Sequence, residues 1–189
     1  MGTVGCVLLL ISGSLRSAST NTAVLRTAQA NAPNETRCVL YEELALLPQF
    51  NPDDDVHPLH PAVARLRSSV RESDALLIST PEYAGALPGS LKNLLEWLIG
   101  DDQPGSIYEK PVAFINTSPR GAKNAHQSLR TVLEYAHASV VEAACAEIPV
   151  TASSVGTDRL IRDPHARERI KGVVRVLGDH ACGNRRIAG

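Results

Sequence analysis

The chain holds only four cysteines, Cys6, Cys38, Cys145 and Cys182, and none falls in a CxxC pair or at a metal-ligand spacing. That excludes a disulfide framework and a cysteine-ligated metal site. Cys6 stands in an apolar run and reads as a buried, inert thiol. An excess of one charge is missing too, with 19 Lys+Arg against 20 Asp+Glu. No whole-molecule field points to nucleic acid or a membrane surface, so a bound anion must be met by local groups. The apolar start, Val4 to Ile11, is too short to cross a bilayer and lacks the flanks of a signal peptide; a cytoplasmic protein is expected. Repeats and low-complexity segments are absent. So are the Walker motif and GxGxxG, which argues against an ATPase and against an ordinary dinucleotide-binding fold.

What the chain does have is alternation. At 189 residues, 43% hydrophobic and with a mean hydropathy of -0.07, it suits one sizeable core, and residues 1–189 read as a single domain. Continuous apolar runs predict strands at Val4–Ile11, Arg37–Tyr41, Ala75–Ser79, Val112–Asn116 and Ser139–Glu142. Helical spacing joins Val63, Leu66 and Val70, then Leu91, Leu94, Leu95 and Leu98. It recurs in Leu129, Val132, Leu133 and Ala136, and in Ile170, Val173, Val174 and Leu177 after Pro164. Short apolar strands alternating with helices imply an α/β, doubly wound, five-stranded parallel sheet with helices on both faces. The stretch from Leu47 to Pro61, with four prolines and Asp53-Asp54-Asp55, reads as a solvated loop carrying exposed His57 and His60.

In such a sheet ligands bind beyond the carboxyl ends of the strands, where strand order reverses. Three post-strand loops have the right composition. The first, Ser12-Gly13-Ser14-Leu15-Arg16-Ser17-Ala18-Ser19-Thr20-Asn21, combines hydroxyls, a guanidinium and the amides of a helix start, a set suited to phosphate. The second, Thr80 to Gly89, offers the small residues Ala84, Gly85 and Ala86 as a close-approach surface for a flat ring, beside Tyr83. The third, Thr117-Ser118-Pro119-Arg120-Gly121, adds main-chain amides. Lys92 and Glu96 read as an i,i+4 surface pair, and Trp97 as core or subunit interface.

Taken in order, Gly13-Ser14-Leu15-Arg16-x-x-Ser19-x-Asn21, Pro81-Glu82-Tyr83, Pro88-Gly89-x-Leu91-Lys92-Asn93-x-x-Glu96-Trp97 and Ser118-Pro119-Arg120-Gly121 resemble the NADPH-dependent FMN reductase family, from about residue 4 to residue 142. That family includes quinone, chromate and azo-dye reductases. The resemblance implies a flavodoxin-like fold with FMN as cofactor and NAD(P)H as co-substrate. It would place Ser14, Arg16, Ser19 and Asn21 on the FMN phosphate. Pro81, Glu82, Tyr83 and Ala84 would border the ring and ribityl chain, with Ser118 and Gly121 on the far side. The implied partner is a small-molecule electron acceptor of quinone, flavin, azo or metal-oxyanion type, and the implied assembly is a homodimer or homotetramer. Many members carry Asn after the Tyr and often an aromatic next, where this chain has Ala84 and Gly85. No side chain is assigned as a general acid, because the flavin is the redox group. NADPH against NADH stays open, since no isolated basic pocket for a 2'-phosphate can be read. An electron carrier without NAD(P)H turnover is the alternative, though such carriers tend to be strongly acidic and this chain's net charge is -1; a flavin-binding sensor or partner module is another.

Overall fold

The computed structural model describes residues 5–187. Its strands are β1 (Cys6–Ser12), β2 (Thr36–Tyr41), β3 (Ala75–Ser79), β4 (Pro111–Asn116), β5 (Ser139–Val140) and β6 (Ala146–Glu147). Its helices are α1 (Thr20–Ala30), α2 (Pro61–Arg71), α3 (Gly89–Ile99), α4 (Lys123–Tyr135) and α5 (Pro164–Ile187). Val4, where the first strand was expected to begin, lies outside the described residues. The strands run parallel in the order β2-β1-β3-β4-β5, which is the flavodoxin-like order.

Both faces of the sheet are covered, and this is why its strands are apolar runs rather than alternating ones. Side chains of β1 divide by pleat: Cys6, Leu8 and Leu10 pack with α1 and α5, whereas Leu9 and Ile11 pack with α2, α3 and α4. Ala75 and Leu77 of β3 share the first face, and Leu76 and Ile78 the second. In-register pairing of Leu8 with Ala75 and of Leu10 with Leu77 keeps the two sets aligned. The leucines expected on α3 (Leu91, Leu94, Leu95 and Leu98) are all fully buried. Each such burial is worth roughly 1.5–3 kcal/mol.

Two expectations need correction. The fifth strand does not run through Glu142: it stops at Val140, gives way to a 3-10 turn over Glu142–Ala144, and resumes as β6 beside Ile115 and Asn116 of β4. At the break Arg130 of α4 pairs through both terminal guanidinium nitrogens with the exposed Glu142. The proline-rich stretch is also more firmly held than a solvated loop. Trp97 Nε1 and Asn93 Nδ2 both donate to Pro48 O at 2.9 Å, and Phe50 packs edge-on to Trp97 at 5.0 Å. Asp55 is half-buried and pairs at 2.8 Å with Arg67, whose guanidinium also donates to Trp97 O at 2.9 Å. Asp53 and Asp54 stay exposed as expected. His57 and His60 are exposed, and His60 caps α2 by accepting from Ala62 N at 3.2 Å. Trp97, 1% exposed, is core.

Candidate active site

The reversal of strand order falls between β1 and β3, and the three loops of interest leave the carboxyl ends of β1, β3 and β4. The first loop turns off β1 with Gly13 N donating to Ser79 O at 2.9 Å. A Cβ at position 13 would lie 2.4 Å from Thr80 Oγ1 and 2.9 Å from Leu91, so only glycine lets this loop sit so close to the second. A chain of hydroxyls then shapes it. Ser12 Oγ contacts Thr22 Oγ1 at 2.8 Å and accepts from Ser14 N at 3.3 Å, and Ser14 Oγ accepts from Arg16 N at 3.3 Å. Ser19 is the N-cap of α1, its Oγ accepting from Thr22 N at 3.4 Å, and the first turn of α1 holds no acidic residue. Arg16 stands exposed on this loop.

Asn21 lies deeper. Its Oδ1 accepts from Ser79 Oγ at 2.9 Å and from Thr117 Oγ1 at 3.0 Å, so one buried amide joins the start of α1 to the ends of β3 and β4. Sequence reasoning placed Ser79 at a strand end and Thr117 in the third loop but missed what their hydroxyls do. Each is a hydroxyl at the end of an apolar strand, which is the signal that marks them.

The second loop closes as a tight turn in which Tyr83 N donates to Ala86 O at 3.1 Å and Ala86 N to Tyr83 O at 3.0 Å. Its two central residues are left-handed, Ala84 with φ 50 and Gly85 with φ 72. Such a turn favours Asn-Gly, because Asn tolerates positive φ and Ala does not. Tyr83 is 45% exposed, and Ala84, Gly85 and Ala86 are exposed beside it. Glu82 Oε2 accepts from Ala125 N in the first turn of α4 at 3.0 Å. In the third loop Ser118 N donates to Asn116 Oδ1 at 3.0 Å, Gly121 N to Ser118 O at 3.1 Å, and Arg120 N to Ser118 Oγ at 3.2 Å. Asn116 Nδ2 donates to Gly121 O, and Gly121 takes φ 93.

Long-range bonds thus hold the three loops: the first to the end of the strand that leads into the second through Gly13 and Ser79, the first to the third through Asn21 and Thr117, and the second to the helix after the third through Glu82. Behind the third loop, His126 is buried against Phe114 at 5.3 Å with neither ring nitrogen hydrogen-bonded. Burial holds its pKa below the usual value. Burial also pushes the Cys38 thiol up to about 12 and raises that of Cys145, so neither is poised as a thiolate.

The donor set fits FMN. Hydroxyls, a free-standing guanidinium and acid-free helix-start amides suit a terminal phosphate, and the small, exposed second-loop turn leaves a flat ring unobstructed. The profile of the NADPH-dependent FMN reductases matches residues 7–150. This chain belongs to that family. An NAD(P)H-dependent FMN reductase of Pseudomonas aeruginosa is 32% identical over 170 residues, 88% of this chain and 90% of that one. A quinone reductase of Escherichia coli is 35% identical over 134 residues, 68% of this chain and 70% of its own length. Among solved structures, the NAD(P)H:(acceptor) oxidoreductase FerB of Paracoccus denitrificans superposes with a TM-score of 0.75 at 26% identity, covering 94% of this chain and 98% of FerB. The chain is therefore an FMN-dependent NAD(P)H oxidoreductase, and the carrier and sensor alternatives give way to the enzyme.

Proposed function

We propose that this FMN reductase passes electrons from NAD(P)H to small, flat acceptors of quinone type, with flavin, azo and metal-oxyanion oxidants as related substrates. The observation that carries the proposal is the convergence of three mutually tied loops at the switch point, with an acid-free phosphate cradle at one end and an exposed small-residue turn at the other. FMN supplies the hydride-accepting ring. The protein's part is position and access.

Arg16 and the hydroxyls of Ser14 and Ser19 bind the phosphate, assisted by the α1 dipole. Asn21 fixes this cradle relative to β3 and β4. Pro81, Glu82, Tyr83 and Ala84 border the ring and ribityl chain, with the Glu82 carboxylate engaged at the Ala125 amide, where it anchors the loop to α4. Ser118 and Gly121 close the far side through a turn whose amides are already ordered. Because Ala84 and Gly85 bear no bulky side chain, the acceptor face is open, which supports a broad range of flat oxidants. A cytoplasmic homodimer or homotetramer is the assembly we propose. Four free cysteines suit a reducing compartment, and half-exposed Ile99 at the end of α3 suits a subunit contact.

The purified protein should be yellow, release FMN rather than FAD on heating, and bleach anaerobically on addition of NADPH. Readmission of a quinone should restore the colour faster than readmission of air alone. Protein that bleaches but is reoxidised by no member of a panel of quinones, flavins, azo dyes and metal oxyanions would remove the acceptor assignment.

A further inference from the structure

A cavity of about 340 Å³ opens beside the first loop, between one side of α1 and the segment 152–159. From α1 and its cap come Ser19, Thr22 and Arg26, spaced so that they share one helix face. From the facing segment come Thr157 and Arg159, while Ser17 closes the rim. Among the described residues lining it there are two guanidiniums and no carboxylate.

Neither arginine is used up by the protein. Arg26 pairs through NH2 with the exposed Glu42 at 3.1 Å, which leaves the NH1 end of its guanidinium as the donor it can offer to the cavity. Arg159 donates from NH1 to Ser17 O at 3.5 Å, a long contact that leaves most of its donors available. Arg159 is also held at φ 63, an unfavourable conformation for a residue with a Cβ. The turn that holds it is pinned by Gly156 N to Leu160 O at 2.7 Å and by Leu160 N to Asp158 Oδ1 at 3.1 Å. Strain of this sort, kept by a well-bonded turn, is a feature of ligand clamps.

We propose that this cavity receives a second phosphate, the 2'-phosphate on the adenosine of NADPH, and that Arg26 and Arg159 thereby select NADPH over NADH. A phosphomonoester is the group a paired guanidinium and hydroxyl set recognises best. The inference rests on the flavin phosphate occupying the first loop. Ser19 borders both places, so the adenosine end of the nucleotide lies alongside the flavin's phosphate end. The sequence hides this pocket because its two arginines come from opposite ends of the chain.

The test uses the FMN-loaded full chain and the variants Arg159→Gly, Arg159→Lys and Arg26→Gln. Glycine adopts φ 63 without penalty, so the turn survives the loss of the side chain. The ratio of kcat/KM for NADPH to that for NADH should fall on the order of tenfold in Arg159→Gly and Arg26→Gln, and less in Arg159→Lys. Calorimetry provides a readout independent of turnover: affinity for adenosine 2',5'-bisphosphate should fall by a similar factor, and that for 5'-AMP should not. Inorganic phosphate competing as well as the bisphosphate would make this a site for free anion and overturn the assignment. Weakened FMN binding with an unchanged nucleotide ratio would give the cavity to the flavin phosphate instead. Flavin reduced by neither nucleotide in the wild type would sink the reductase reading itself, whereas reduction by both at an unaltered ratio sinks only this inference.

Discussion

Glu82→Ala tests whether the second loop is held from outside. The N-cap position of α4 is Ala122, which adopts φ 45 and makes no side-chain cap, so the helix has no local group to satisfy its first amides. Glu82, 43 residues earlier, supplies the missing acceptor at 3.0 Å and places a carboxylate at the positive end of the helix. Losing a cap costs about 1–2 kcal/mol, of which the charge contributes roughly 0.3–1 kcal/mol. For a chain of this length each kcal/mol moves Tm by about 2–4 °C, so Glu82→Ala should melt roughly 2–8 °C lower. Glu82→Gln keeps an acceptor and should recover about half of that difference. The same bond sets the spacing of the second loop from the helix that follows the third, so FMN retention should weaken in Glu82→Ala as well. Differential scanning calorimetry of the apoprotein and fluorescence titration with FMN measure the two effects separately. A Glu82→Ala variant with wild-type Tm and wild-type FMN affinity would refute the anchoring argument.

Arg16→Ala should raise the FMN dissociation constant on the order of ten- to a hundredfold by losing a charge-assisted hydrogen bond, with little change in apoprotein Tm. Flavin fluorescence titration checks it, and Arg120→Ala, on the third loop, should alter turnover or acceptor preference more than FMN affinity. Ala84→Gly relieves a left-handed alanine and should stabilise by roughly 0.5–1 kcal/mol once glycine's larger unfolded-state entropy is deducted; a lower urea midpoint would contradict this. His126, whose folded pKa is depressed from 6.5 by burial foremost, with Glu147 and Glu82 opposing and Arg130 assisting, binds its proton more readily in the unfolded chain. Its contribution is therefore present above about pH 6.5 and lost as pH falls through the folded value. The variant His126→Phe should show a smaller Tm drop between about pH 7.5 and 5.5 than the wild type, and an equal drop would count against it.

How much of this was legible in the sequence depended on whether a residue's partner is local. The strand Ala75–Ser79 is where the apolar run puts it, because a strand covered on both faces leaves an unbroken hydrophobic signature. The first loop's composition was legible for a similar reason, since the hydroxyls, guanidinium and helix start for which we propose a phosphate are contiguous. The fifth strand was not. It pairs on one side only, so its hydrophobicity does not say where pairing stops, and the ion pair at the break joins Glu142 to Arg130 of α4, 12 residues earlier. Asn21 shows the same limit inside the site. Read from the motif alone it is one more polar group beside a phosphate, yet its Oδ1 takes hydroxyls from Ser79 and Thr117, 58 and 96 residues further along. Glu82 is parallel: its place in the loop was legible, but its partner, the amide of Ala125, belongs to a helix whose own start lacks a cap. Hence composition located the three loops, while the bonds that hold them at a fixed distance from one another are all long-range. Those bonds set the spacing of the loops between which we propose the flavin. A substitution that keeps every motif residue but removes Ser79 or Thr117 should therefore damage the site without touching any residue the motif contains.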